Sequence, residues 1–392
     1  MDLPTPPTLA KIDKISPSFY NAGLLCKAKA AWQKFGVRQS MPASTGSILG
    51  SCLHAVVERG NRGGLSPGRE GIEQAKIAFD AEAKLRFSEA HPLIRAKFAS
   101  PEKIPFYFQR RARAVVLAVQ VSTEGEPRSP SPPQGDPAPR AFGGRSSRLV
   151  EQSFTSRDGL ITGRIDLLDS GVGKVTDYKS GHASKNVPSG LADTEVRQLR
   201  LYIHLALENG YNITRATIVR GDGNECEIQI SASQAADEAQ AARALMEEFN
   251  GLVSGGCSFS SLANPSAKNC AGCPCIPFCE PFWKTAQPDW EELCGTNAEG
   301  EISETKDISL AGATLKTLTL DCRQGSTLRG QLTIEQIPLA WLSLGSSVPA
   351  LGSAVRIVLA ARSTSAPQIR VLQVDRIKST TIWNLSIAPP QQ

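Results

Sequence analysis

The sequence contains no run of 18 consecutive apolar residues, so no helical membrane span and no membrane partner are expected. Its opening residues, MDLPTPPTLAKIDKISPSF, lack the apolar core of a secretory signal. A cytoplasmic chain with reduced thiols is therefore expected. No G-x-x-x-x-G-K-[ST] occurs, so the chain carries no P-loop motor, and any helicase would have to be a separate partner. No internal repeat is visible. A strong excess of either charge is also missing. The 43 Lys and Arg against 38 Asp and Glu give +5, which permits a polyanion partner without demonstrating one.

What is present is a chain of 392 residues, 41% apolar and 21% charged. That is enough for two or three ordinary globular domains. Ten cysteines in a reducing compartment point to metal ligation rather than a disulfide framework. Four of them crowd into NCAGCPCIPFCE, residues 269–280.

The first part reads as helical: 16–36 behind an SPS cap, 46–60, about 70–99, and the basic stretch 107–121. Residues 122–147 are so rich in Pro, Ser and Gly that they read as a disordered insertion. Three strand-like runs follow, RLVEQSFTS, LITGRIDLLDS and GKVTDYKSG, and then an amphipathic helix over about 193–209. A hairpin around GDGN and an Ala-rich helix over 232–254 lead to the cysteines. Beyond 300, five evenly spaced strand candidates suggest a small closed barrel, with the OB-fold as one option. The expected division is 1–121, the insertion 122–147, a core over 148–290, and a β-rich domain over 300–392.

The chemistry concentrates in GRIDLLDSGVGKVTDYKSG. Asp166 and Asp177 fall on consecutive strands, which as antiparallel neighbours would bring both carboxylates to one end of a sheet. Asp177 and Lys179 alternate onto the same face. Two carboxylates and a lysine are the parts of a metal-dependent phosphodiesterase: hard oxygens for Mg²⁺ or Mn²⁺, and an ammonium to orient water or meet charge on phosphorus. His54 and Glu58 share a helix face, and a neutral His54 imidazole would suit Mn²⁺. Gln198 and Tyr202 share another face and could position the strand to be cut or the lysine. Each has a bland reading: a surface strand end, a core histidine, a helix face. Their joint order is what points to catalysis.

In that order the motifs GSCLH (50–54), GRID (163–166), DYK (177–179) and QLRLY (198–202) resemble the RecB-like branch of the PD-(D/E)XK nuclease superfamily. The likeness extends to its iron–sulfur members, the CRISPR-associated four-cysteine exonucleases and the AddB nuclease domain. It implies an α/β, restriction-endonuclease-like mixed sheet flanked by helices. His54, Asp166, Asp177 and the Tyr178 carbonyl would hold Mg²⁺ or Mn²⁺. Lys179 would be the catalytic lysine, and Gln198 and Tyr202 would complete the site. Glu58 and Glu151 are placed as supporting groups behind the ligands.

The family's one upstream and three downstream cysteines match Cys26, Cys270, Cys273 and Cys279, which implies a 4Fe–4S cluster. Zn²⁺ is the alternative for four thiolates. Lys27 follows Cys26 where the family often has Pro, and Cys275 is extra. Cys52, Cys226, Cys257, Cys294 and Cys322 read as buried small residues. Arg110, Arg111 and Arg113, with aromatic neighbours, are candidate nucleic-acid contacts or a solvated helix face.

The expected function is a metal-dependent DNase acting on single-stranded or free ends, in repair or in anti-phage or CRISPR-type defence. The rivals are a non-catalytic nucleic-acid-binding scaffold and a zinc-stapled endonuclease.

Overall fold

The computed structural model describes residues 1–37, 40–123, 148–180, 190–221, 223–310, 313–323, 326–328, 330–345, 348–362, 370–373 and 381–385. Of the expected 122–147 insertion, residues 124–147 lie outside this set.

The first helix starts where the sequence places it. Pro17 occupies the first turn, and the Ser16 hydroxyl accepts from the Phe19 N–H at 3.3 Å. It does not run on to residue 36. Cys26 is extended, at φ −159° and ψ 114°, and divides α1 (Pro17–Leu25) from α2 (Lys27–Phe35). The long helix expected over 70–99 is also divided, into α4 (Gly68–Ser88) and α5 (Pro92–Lys97). Here the cause is local, because Pro92 disfavours helical geometry at His91. Between them in sequence lies α3 (Thr45–Asn61), and α6 (Tyr107–Thr123) follows.

A five-stranded mixed sheet comes next: β1 (Arg148–Thr155), β2 (Thr162–Asp169), β3 (Lys174–Lys179), β4 (Arg215–Arg220) and β5 (Glu225–Gln229), in spatial order 1-2-3-4-5. Only β3 and β4 are parallel, and α7 (Asp193–Glu208) makes the crossover between them. One core joins α1, α7 and α8 (Ala232–Ser254) to this sheet through Ile165, Val175, Leu199, Ile203 and Ile218. A second joins α3, α4 and α6 to it through Leu53, Phe79, Leu167, Tyr178 and Val219. Helices thus cover a mixed sheet, as in a restriction-endonuclease-like core.

The cysteine segment carries three short helices, α9 (Ala267–Cys270), α10 (Glu280–Thr285) and α11 (Glu291–Cys294). It leads directly into β6 (Thr296–Leu310), β7 (Ala313–Cys322), β8 (Gly330–Pro338), α12 (Leu339–Leu342), β9 (Ala354–Arg362), β10 (Arg370–Gln373) and β11 (Thr381–Asn384). Strand β10 pairs with both β8, in parallel, and β9. The ring β6-β7-β8-β10-β9 therefore closes on itself, with α12 between its third and fourth strands. This is the connectivity of a five-stranded Greek-key barrel of the OB type. Its own core is Ile302, Leu318, Leu320, Leu332, Ile334 and Ile357.

The barrel is fastened to the cysteine segment by Arg356 on β9. This side chain is buried and spends all three guanidinium nitrogens. It bonds Glu299 Oε2 at 2.7 Å, the Pro277 carbonyl at 2.8 Å and Glu280 Oε1 at 2.7 Å. The Trp283 ring lies 5.0 Å beneath it. Trp383, on β11, is buried in the same core as the cysteines.

Candidate metal and active site

Antiparallel pairing of β1 with β2 sets Val150 opposite Leu167 and Gln152 opposite Ile165, so Glu151 faces Asp166. Pairing of β2 with β3 sets Leu167 opposite Thr176, and the same register carries Asp166 beside Asp177. Three carboxylates on three adjacent strands therefore form one row. Helix α3, capped by the Ser44 hydroxyl on the Ser47 N–H, brings His54 above it. His54 Nδ1 lies 3.5 Å from Asp166 Oδ2. Donor atoms of His54, Glu151 and Asp166 all fall within 4.8 Å of one another, the one such trio among the described residues.

The glycine of GRID has a steric reason. A Cβ on Gly163 would sit 2.9 Å from a Leu205 methyl and 3.2 Å from the Tyr202 ring. Its absence lets β2 press against α7, which delivers Gln198 and Tyr202. The Gln198 amide donates to Asp177 Oδ1 at 2.8 Å and to Tyr202 Oη at 2.7 Å. Its carbonyl accepts from Lys179 Nζ at 3.0 Å. Lys179 Nζ also lies 2.9 Å from the buried Asp177 Oδ2 as an ion pair.

Burial pushes Asp166 and Asp177 above the usual carboxylate range; the Asp166 charge adds to the cost of ionising Asp177, and the Glu58 charge to that of Asp166, against the pull of Lys179 on both. The Tyr178 N–H, at 2.8 Å from Asp166 Oδ2, opposes this only in part. Burial, then the Asp166 charge, lifts Glu151 to about 7. Burial lowers His54, which leaves a neutral imidazole able to ligate. Burial and the Asp177 charge keep Tyr202 a phenol. A row of crowded carboxyls and a neutral imidazole are the donor set of a divalent cation.

The structure thus brings His54, Asp166, Asp177, Lys179, Gln198 and Tyr202 together. Glu151 joins His54 and Asp166, while Asp177 turns toward Lys179 and Gln198. Glu151 holds φ +52°, left-handed for a residue other than glycine, a conformation that costs of order 1–3 kcal/mol. Arg164, which the motifs did not single out, lies 2.6 Å from Glu151 and 3.8 Å from Glu58. Glu58 itself pairs with Arg62 at 2.8 Å. The available signal was alternation: Arg164 stands two residues before Asp166 on the same strand.

Cys270, Cys273, Cys275 and Cys279 are buried, and Cys26 is partly so. The break between α1 and α2 brings Cys26 Sγ to 3.5 Å from the Asn264 N–H, 238 residues away. Cys26 lies in electrostatic reach of Cys275 and Cys279, and Cys270 in reach of Cys273, Cys279 and Cys294. The cysteines thus share one core with Trp32 and Phe278, whose rings are 4.5 Å apart. The Cys275 thiol donates to Cys273 and draws its pKa down to about 7; burial pushes Cys270 up to about 12 and Cys279 up to about 11. No three of the sulfurs approach within 4.8 Å of one another. Cys294, which reads as isolated in the sequence, belongs to this neighbourhood.

On α6, Arg111 is spent on Asp80 at 2.5 Å, and Tyr107 Oη donates to the same carboxylate at 2.7 Å. Arg110 and Arg113 have no carboxylate in ion-pair range among the described residues. Burial and the Arg113 charge lower the Arg110 pKa.

No helix among the described residues is long and apolar enough to cross a membrane. A family model described as the PD-(D/E)XK nuclease superfamily matches residues 14–280. No curated protein matches. Among solved structures, the chain is similar to one titled "Crystal structure of SSO0001", at 20% identity and a TM-score of 0.22, over 34% of this chain. The matched region spans 60% of that structure's length.

Proposed function

This chain belongs to the PD-(D/E)XK nuclease superfamily, a group of metal-dependent nucleases, and from that premise we propose a DNA exonuclease of the RecB-like branch that acts on single-stranded ends. The observation that carries the reading is the pairing of two half-sites. The His54, Glu151 and Asp166 trio faces a Lys179 ammonium pinned between Asp177 and Gln198.

His54, Glu151, Asp166 and Asp177, with the Tyr178 carbonyl, would hold Mg²⁺ or Mn²⁺. When bound, the ion polarises a phosphoryl oxygen and acidifies water. Lys179 supplies a fixed positive charge where negative charge develops on the phosphate. Gln198 keeps that ammonium aimed by accepting from it while donating to Asp177. Tyr202, held protonated, holds Gln198 in turn. Arg164, restrained by Glu58 and Glu151, provides a cation at the outer edge of the carboxylate row.

The reading also includes a structural 4Fe–4S cluster on Cys26, Cys270, Cys273 and Cys279. Its support is the shared core of these cysteines and the helix break at Cys26. A cluster there would tie the helical part ahead of α3 to the segment behind the nuclease core. The barrel over about 300–392 is proposed as a separate unit that braces this clasp. DNA is the proposed substrate, with a helicase or other protein as a source of free ends.

The test is direct. Protein purified anaerobically is expected to be coloured and to degrade labelled single-stranded DNA in Mg²⁺ or Mn²⁺. Asp177→Ala and Lys179→Ala should be inert. No cleavage of single- or double-stranded DNA in either metal would replace the reading with a non-catalytic nucleic-acid scaffold.

A further inference from the structure

Arg164 stands on β2 two residues before Asp166, so both side chains rise from the same face of the sheet. Its Nε lies 2.6 Å from Glu151 Oε2, and its charge acts on all three members of the trio, His54, Glu151 and Asp166. The Glu151 side chain is 9% exposed, whereas that of Arg164 is 58% exposed. A mostly buried candidate ligand is therefore held by a guanidinium whose own side chain lies largely in solvent.

Three observations make this hold exchangeable. An ion pair with one partner so exposed is weak. A divalent cation among the trio would set two further positive charges beside the guanidinium, and like charges repel. Glu58, the other carboxylate at hand, offers no firm alternative. It lies 3.8 Å from Arg164 Nη2 and is already engaged by Arg62 at 2.8 Å. The balance of charge agrees. Fully ionised, Glu58, Glu151, Asp166 and Asp177 face Arg62, Arg164 and Lys179, which leaves one negative charge in excess. A bound divalent cation turns that excess into one positive charge, the sign that receives a phosphodiester. A guanidinium freed at that moment has the planar fork of donors that phosphate oxygens accept from.

We propose that Arg164 is a positioning residue that changes partners: it holds Glu151 in the metal-free protein, gives Glu151 up to the divalent cation, and then takes a backbone phosphate of the DNA strand beside the bond to be cut. The proposal rests on the nuclease reading above and adds an order of events to it. The metal has to be in place before this residue grips the strand, so DNA is not held unproductively by an empty site. Because the contact is with phosphate, it reads no sequence.

The experiment uses the full-length Lys179→Ala protein, which keeps the strand intact and retains the residues that would hold the metal. Two quantities are compared between Arg164 and Arg164→Gln on that background. One is Mn²⁺ affinity, by calorimetry on the metal-free protein. The other is affinity for a labelled single-stranded oligonucleotide, with and without Mn²⁺. Arg164→Gln should tighten Mn²⁺ about two- to fivefold, since a competitor for Glu151 is gone. It should weaken the strand about tenfold in Mn²⁺ and lower the salt slope by about one, yet leave metal-free strand binding within about twofold. With Glu151→Gln also present, Arg164 has no carboxylate of Glu151 to leave, and Arg164→Gln should then weaken the strand without Mn²⁺ as well. Melting midpoints close to the parent's show that the variants fold.

Weaker Mn²⁺ binding by Arg164→Gln would make the residue a prop for Glu151 and overturn the exchange. An equal loss of strand affinity with and without Mn²⁺ would overturn it too, since that marks a fixed contact. If the protein with Lys179 in place cleaves nothing in either metal while the Mn²⁺-dependent loss is seen, the nuclease reading falls and the exchange stands. If it cleaves single strands and Arg164→Gln changes neither affinity, the exchange alone falls.

Discussion

Gln198 Nε2 lies 2.8 Å from Asp177 Oδ1, and through this bond a helix side chain fixes the orientation of a buried carboxylate. The same amide holds Lys179 with its oxygen, so one residue aligns the acid and the ammonium together. Gln198→Ala is expected to lower kcat about 100-fold, the scale of losing one preorganised charge-stabilising contact. Mn²⁺ affinity should hardly move. A parallel loss of metal binding, read by titration, would instead make Gln198 part of the metal site.

Glu151 is the residue whose role the structure raises most. Glu151→Gln keeps the shape and removes the charge. Mn²⁺ affinity should fall about 10- to 100-fold, the range seen when a group in or beside a metal site is altered. Isothermal titration on the metal-free protein measures it directly. An unchanged affinity would return Glu151 to the role of an Arg164 anchor.

The carboxylate row makes stability depend on pH. A carboxyl that titrates higher folded than unfolded keeps its proton preferentially in the folded state. Asp166, Asp177 and Glu151 all shift this way, so the metal-free protein loses stability as pH rises from roughly 4 through the Glu151 value of about 7. His54 opposes this, since its pKa is lowered. Two results follow for thermal melts. Asp166→Asn should raise the metal-free Tm at pH 7.5, and Mn²⁺ should raise the Tm of the parent protein more at pH 7.5 than at pH 5.5. A Tm for Asp166→Asn below the parent's at pH 7.5 would contradict the first.

Cys26 and Cys275 can be separated by substitution. Cys26→Ser is expected to abolish iron content and visible absorbance and to reduce solubility. Cys275→Ser should retain the iron, because Cys275 acts on Cys273 as a thiol donor. The opposite pattern would mean that the downstream segment forms a complete metal knot by itself.

Arg356 should be among the most sensitive buried positions of the barrel junction. Its loss strands Glu299 and leaves the Pro277 carbonyl without its guanidinium donor. Arg356→Ala is expected to cost about 3–5 kcal/mol, the scale of breaking a buried charge pair. Urea unfolding followed by tryptophan fluorescence would report it. Glu280→Gln, on a side chain about half exposed, should cost far less.

Much of this was legible in the sequence because local chemistry wrote it there. Alternation exposed the strands of GRID and DYK, helical spacing paired Gln198 with Tyr202, and GDGN announced the β4–β5 hairpin. Of the five strand candidates beyond 300, four fall on β7 to β10; the fifth, LAWLSLG, forms the helix α12, and β6 was not among them. What could not be read depends on partners distant in the chain. No glycine or proline marks the break at Cys26, which follows from docking against the segment around Asn264. The left-handed Glu151 arises from a register that needs β2 in place. Arg356 is one unremarkable strand residue until residues 277–283 fold beneath it.

The shared burial of the cysteines also sets a timetable. Their core draws on Cys26, on the segment ending at Cys279, and on Trp383 beyond it. During synthesis Cys26 leaves the ribosome many seconds before its partners, at roughly 5–20 residues per second. Such distant closure is a slow, late step of folding. Under the proposed cluster, iron delivered early would find a single thiol, whereas iron delivered late would find the chain between the two groups of cysteines already folded. Loading of the proposed cluster would then fall at the end of assembly, where it could report that the core between those cysteines has been made.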